Sequence, residues 1–164
     1  MSSNNPSAVP LVPGSPMPQG ASPWNSQVYA SRNFFIYECD TLAALAAGGA
    51  ANLTFNIAGD SDFFWTKFAA FALVGGTSTL RNADQLASVT ALIVNTTTGR
   101  QYSSSASPLP NFAGTGELPF ILPQITMWQR KSTIQVNLSN VGSATYSNIY
   151  LSFMGIKAFP NQGY

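Results

Sequence analysis

The sequence predicts an all-β fold, a sandwich or barrel of about eight short strands, behind an extended N-terminal arm. Three observations carry this. Apolar residues recur at every second position in several short runs, the period of a half-buried strand. Ser, Asn, Gly and Pro clusters separate those runs, as turns require. Residues 1–31 carry no charged side chain and hold six of the eleven prolines, Pro6, Pro10, Pro13, Pro16, Pro18 and Pro23.

Those prolines favour an extended, polyproline-like segment over a packed core. Fully stretched, it reaches on the order of 100 Å at about 3.3 Å per residue. Val9, Leu11, Val12, Met17 and Trp24 stand along it as apolar pegs that a solvated linker does not need. The expectation is an arm, residues 1–31, that lies on a neighbouring subunit, with a free tail as the alternative. Residues 32–164 form the domain.

Residues 28–39 make the first strand candidate, β-branched and aromatic in the second half. Residues 41–47 suit either one helical turn, capped by Asp40 or Thr41 and stopped by Gly48-Gly49, or a small-residue loop. Leu53, Phe55 and Ile57 alternate, which marks a strand over 51–57, and residues 59–62 read as a turn. Residues 63–74 (FFWTKFAAFALV) are ambiguous. Phe64, Phe68 and Phe71 fall at helical spacing, but the run follows a tight turn and ends at Gly75-Gly76, so a strand is favoured. Residues 87–94 read as a strand, 97–100 as a turn returning into Gln101-Tyr102, and 103–116 as a loop.

The clearest strand pattern lies in residues 116–159. Residues 118–122, held between Pro119 and Pro123, suit an edge strand or extended lead-in, because proline has no N–H for the ladder. Ile134, Val136 and Leu138 alternate with polar residues. After a polar loop, Ile149, Leu151 and Phe153 alternate with Tyr150, Ser152 and Met154, giving an antiparallel pair. Phe55, Ile57, Val136, Leu138, Leu151 and Phe153 are the expected inward-facing set.

Composition narrows the function. Charged residues make up 8% of the chain and the net charge is +1, against about a quarter charged in an average domain. Eleven phenylalanines argue against a disordered chain. A low-charge, aromatic surface is better explained by burial against other subunits than by free solubility. No basic excess marks a nucleic-acid surface. No apolar run reaches the roughly 18 residues of a membrane span, and no signal peptide is expected. The single cysteine, Cys39, excludes an internal disulfide and reads as a small core side chain. Asn52 and Asn95 match the glycosylation pattern and read as chance.

The chain has no histidine. That removes Ser–His and Cys–His nucleophiles and the commonest metal ligand. Asp60-Ser61-Asp62 is the one compact acidic pair, and turn chemistry explains it without a cation. Glu38 and Asp40 are two carboxylates near a strand end, expected to face solvent rather than form an acid–base couple. Gly48-Gly49 and Gly75-Gly76 lack the Lys and Ser/Thr of a phosphate loop. Arg130-Lys131 suits a surface turn. Trp65 and Trp128 suit core or interface positions, with a sugar-stacking role as the alternative. No catalytic, cofactor-binding or metal-binding residue is assigned.

Phe63-Phe64-Trp65-Thr66-Lys67, then GTGELPFILPQITMWQRKSTIQVNLSN and IYLSFMGIKAF, resemble segments of small structural proteins of tailed bacteriophage virions. The resemblance covers roughly residues 34–159 and leaves out the arm. It implies a jelly-roll β-sandwich, on the capsid exterior as a cement or decoration protein that bridges major capsid protein subunits, or near the neck and tail. Such a protein is expected to be non-enzymatic and homo-oligomeric, with contacts to itself and to a major capsid protein, and without nucleic acid, membrane or cofactor. The rival readings are a neck, tail or fibre-base component on the same fold, and a carbohydrate-binding module using Trp65, Trp128 or Tyr102.

Overall fold

The structure is a computed structural model that describes residues 29–75 and 79–160. Ten strands follow one another: β1 (Tyr29–Asp40), β2 (Ala50–Asn56), β3 (Asp62–Val74), β4 (Leu80–Asn82), β5 (Val89–Asn95), β6 (Arg100–Gln101), β7 (Ser107–Pro108), β8 (Phe120–Trp128), β9 (Thr133–Asn140) and β10 (Tyr146–Pro160). Short 3-10 turns at Ala83–Gln85 and Leu109–Asn111 are the only helical elements among the described residues. No helix there is long and apolar enough to cross a membrane.

The strands form two antiparallel sheets packed face to face. In sheet A the order is β1-β10-β3, and β8 and β4 lie end to end along the far side of β3. In sheet B the order is β2-β9-β5, with β6 and β7 end to end along β5. The first strand thus pairs with the last, β2 with β9, β3 with β8, and β5 with its immediate successors. That nested pairing is a long antiparallel ribbon rolled over itself, the jelly-roll arrangement. β4 is an extra short strand.

The core lies between the sheets. Phe63, Trp65, Phe68, Ile149, Leu151 and Phe153 from sheet A meet Leu53, Val89, Ile93, Ile134, Val136 and Leu138 from sheet B. The six residues expected to face inward do so: five are buried, and Phe55 is partly buried against the same cluster.

The ambiguous run 63–74 lies in β3, the favoured strand reading; Phe64 and Phe71 face outward and Phe68 inward, so their helical spacing marks no single face. A bulge between Trp65 and Lys67 adds a residue to the strand. The inward set therefore runs Phe63, Trp65, then Phe68, Ala70, Ala72, and strict alternation is lost. Gly155 lies at the matching irregularity of β10. A Cβ there would collide with the Phe64 carbonyl oxygen, so only glycine lets the two backbones approach.

Several boundaries differ from the sequence reading. Of the two readings offered for residues 41–47, the small-residue loop is the one found. Leu45 bridges to Tyr146, and Thr41 Oγ1 accepts from the Ile149 N–H at 2.9 Å, so the backbone is satisfied by β10. Tyr29, Ala30 and Ser31 belong to β1 rather than to the arm. The edge strand expected over 118–122 runs instead from Phe120 to Trp128, with Pro123 tolerated because β8 is bonded on one side. Arg130-Lys131 does form a turn, with Lys131 at φ 64°.

Candidate interaction face

Pleating sends the two faces of each sheet opposite ways. In β1, Phe35, Tyr37 and Cys39 pack on the core, which turns Phe34, Ile36 and Glu38 outward. The register then sets out the outer face of sheet A row by row. One row runs Phe34–Ile156–Phe64–Met127, and the next runs Ile36–Met154–Lys67–Ile121. Ile125, in the irregular part of β8 between Ile121 and Thr126, is a further exposed apolar side chain. Phe34 is 67% exposed, Ile121 69%, Ile125 37% and Ile36 36%. Next come Glu38–Ser152–Ala69 and then Asp40–Tyr150–Phe71, where the Phe71 and Tyr150 rings stack at 4.7 Å.

Sheet B presents the opposite chemistry. Asn52, Thr54 and Asn56 of β2 line up outside with Thr133, Gln135, Asn137 and Ser139 of β9. Thr90 continues the pattern on β5, although Leu92 and Val94 share its parity. A solvated antiparallel sheet normally carries such polar residues outside. Sheet B follows that rule, and sheet A breaks it over two adjoining rows on four strands.

Tyr29 closes one end of the apolar face. Its ring meets Phe64 edge-on at 5.6 Å, and with Ala158, Met127 and Ile156 it makes a small second core outside sheet A. Its hydroxyl donates to Asp62 Oδ2 at 3.1 Å, while Asp62 Oδ1 accepts from the Arg130 N–H at 2.9 Å. Burial and the Asp62 carboxylate hold the Tyr29 phenol well above the ordinary range. Asp62 is thus engaged in anchoring Tyr29 and the 129–132 turn. Asp60 Oδ1 accepts from the Ser61 hydroxyl at 2.9 Å, turn chemistry as expected. Glu38 and Asp40 sit on the outer side of β1, opposite Ser152 and Tyr150. Among the described residues no three His, Cys, Asp or Glu side chains gather as a metal site would need.

A cleft of about 400 Å³ opens between β8 and the β5–β7 edge, lined by Trp65, Tyr102, Phe112, Phe120, Leu122 and Gln124 among others. Trp65 forms its floor and is only 4% exposed, with its N–H donated to the Lys67 carbonyl at 2.8 Å. Trp128 is 0% exposed and donates to the Tyr102 hydroxyl at 2.6 Å. A sugar platform needs an aromatic face open to solvent. Neither indole offers one, and Tyr102 is left as the single partly exposed aromatic of the three named from sequence. Cys39 is half-buried against the core. Its thiol is pushed up to about 12, first by burial and then by Asp40.

The outer rows escaped the sequence reading because Phe34, Ile36, Ile121 and Ile125 look like core residues until register assigns them a side. Val9, Leu11, Val12, Met17 and Trp24 lie outside the described residues. The chain matches no protein-family model, no curated protein and no solved structure.

Proposed function

We propose that the chain is a non-enzymatic structural protein of a virion. It cements or decorates the capsid exterior by bridging major capsid protein subunits, using the outer face of sheet A. The observation that carries this reading is the contrast between the two outer faces: mostly polar and uncharged on sheet B, and on sheet A two adjoining rows across four strands that are apolar except for Lys67. Exposed apolar patches of this kind mark contact surfaces. The jelly roll is an architecture of viral capsid and lectin domains, and the sequence resemblance to small phage structural proteins points the same way.

Cementing here means removing apolar area from water at subunit boundaries, at about 25 cal/mol per Å² before association costs. One contact of this size is modest, and repetition over a shell makes the sum large. A neck, tail or fibre-base role on the same fold is the second reading, and copy number separates the two. Quantitative mass spectrometry of purified particles is the test. Copies on the scale of the major capsid protein are expected. A few copies per particle move the protein to a single vertex, and absence from particles ends the virion reading.

A further inference from the structure

We infer that β1 is a dimer edge: it pairs antiparallel with β1 of a second copy of this chain, setting Arg32 against Glu38 and Phe34 against Ile36. The edge lies in the plane of sheet A. The contact is therefore separate from the outer face and holds whatever that face meets.

The first observation is the edge itself. Among the described residues, β1 is bonded to β10 alone. It runs for 12 residues, has no proline or glycine, and keeps one register from Ser31 to Asp40. The other edges are broken or short. β8 carries Pro123 and a register break, β4 has 3 residues, and β6 and β7 have 2 each. β2 is unbroken but has no charged side chain to fix a register. A long, unbroken edge is a template for another strand.

The second observation is what the edge offers. The Thr41 N–H donates to the Ile149 carbonyl at 3.0 Å, and that pair continues the β1–β10 register. Along an antiparallel strand, bonding toward one neighbour alternates with bonding toward the other side. Odd-numbered residues of β1 thus spend their N–H and C=O on β10, while Phe34, Ile36 and Glu38 aim theirs away from the sheet. None of these three makes a hydrogen bond on that side to a described residue.

The third observation is self-complementarity. Pleat and hydrogen bonds both match only when residues of like parity are paired. With Phe35 on the two-fold axis, Phe34 faces Ile36 of the second copy and Arg32 faces its Glu38, each pair occurring twice. An aromatic on a β-branched side chain and a cation on a carboxylate are pairs that stabilise adjacent strands. An axis at Phe34 sets Arg32 against Ile36 and Glu38 against Ala30. An axis at Ile36 sets Phe34 against Glu38. Of these three registers, the one centred on Phe35 satisfies both pairs. Arg32 keeps the contact it already makes, since a guanidinium has five donors. Both copies offer the same strand, so the contact closes as a dimer and sheet A runs on from one copy into the other.

Sedimentation equilibrium of the full chain tests this. The native chain is expected to be a dimer. Ile36→Pro removes an outward N–H and leaves the β10 ladder whole, so a folded monomer is expected. Ile36→Ala keeps that N–H and is expected to keep the dimer. Arg32→Glu puts like charges opposite each other at both ends and is expected to weaken the dimer about tenfold. Adding Glu38→Arg to the same chain is expected to restore it, because the exchanged charges again meet across the axis. A native chain that stays monomeric overturns the inference, and so does a dimer that Ile36→Pro leaves intact. If Ile36→Pro does not fold, the charge exchange decides: a doubly exchanged chain no tighter than Arg32→Glu alone overturns the pairing. Copy number is read on particles, so the virion role stands or falls apart from this contact.

Discussion

The indole of Trp128 sits where the two sheets meet. It stacks on Trp65 at 4.9 Å, touches Phe63, Phe55 and Phe153, and spends its N–H on the Tyr102 hydroxyl. Burial raises the Tyr102 phenol above its ordinary value, as burial and a neighbouring carboxylate raise Tyr29 and Cys39. All three groups are neutral when protonated, so the folded chain holds its protons more tightly than the unfolded chain. Their contribution to stability is complete below the unfolded values, about 8.5 for a thiol and 10 for a phenol. It is lost as pH rises from there through the folded values, which for Cys39 is about 12. Urea denaturation between pH 7 and 11 is expected to show stability falling above about pH 9; a midpoint that stays flat to pH 11 contradicts this. The packing of Cys39 against the core was legible from its residue type. The tyrosine partners were not, because Tyr29–Asp62 and Tyr102–Trp128 join residues far apart in sequence.

At the level of elements, β9 and the first half of β10 were readable in advance, since unbroken alternation reports a single buried face. β3 was harder: the bulge at Thr66 breaks strict alternation, and phenylalanines on opposite faces of the strand happen to fall at helical spacing. The short strands β4, β6 and β7 have two or three residues each, too few for any period to show. β10 is the strand on which sheet A depends, bonded to β1 on one side and β3 on the other. Leu151, at its centre, is fully buried between the sheets. Leu151→Ala is expected to cost about 2–5 kcal/mol, the range for emptying a leucine site in a rigid core. Chemical denaturation measures it, and a loss below about 0.5 kcal/mol would place Leu151 at the surface.

For the molecule as a whole, an all-β class followed from the sequence, but the rolled-ribbon order did not follow from periodicity. Strand order is set by pairings such as β1 with β10 and β2 with β9, which local patterns do not encode. The candidate face was hidden for the same reason, because its rows exist only once four distant strands are in register. The central claim is that this face, and not a reaction, is what the chain contributes to a particle. Thermal genome release measures it directly, comparing particles carrying the native chain with particles carrying Phe34→Ser and Ile121→Ser. Both positions are exposed, so the domain keeps its fold. Reduced occupancy and release at a lower temperature are expected from the altered face; full occupancy with an unchanged release temperature would contradict the claim.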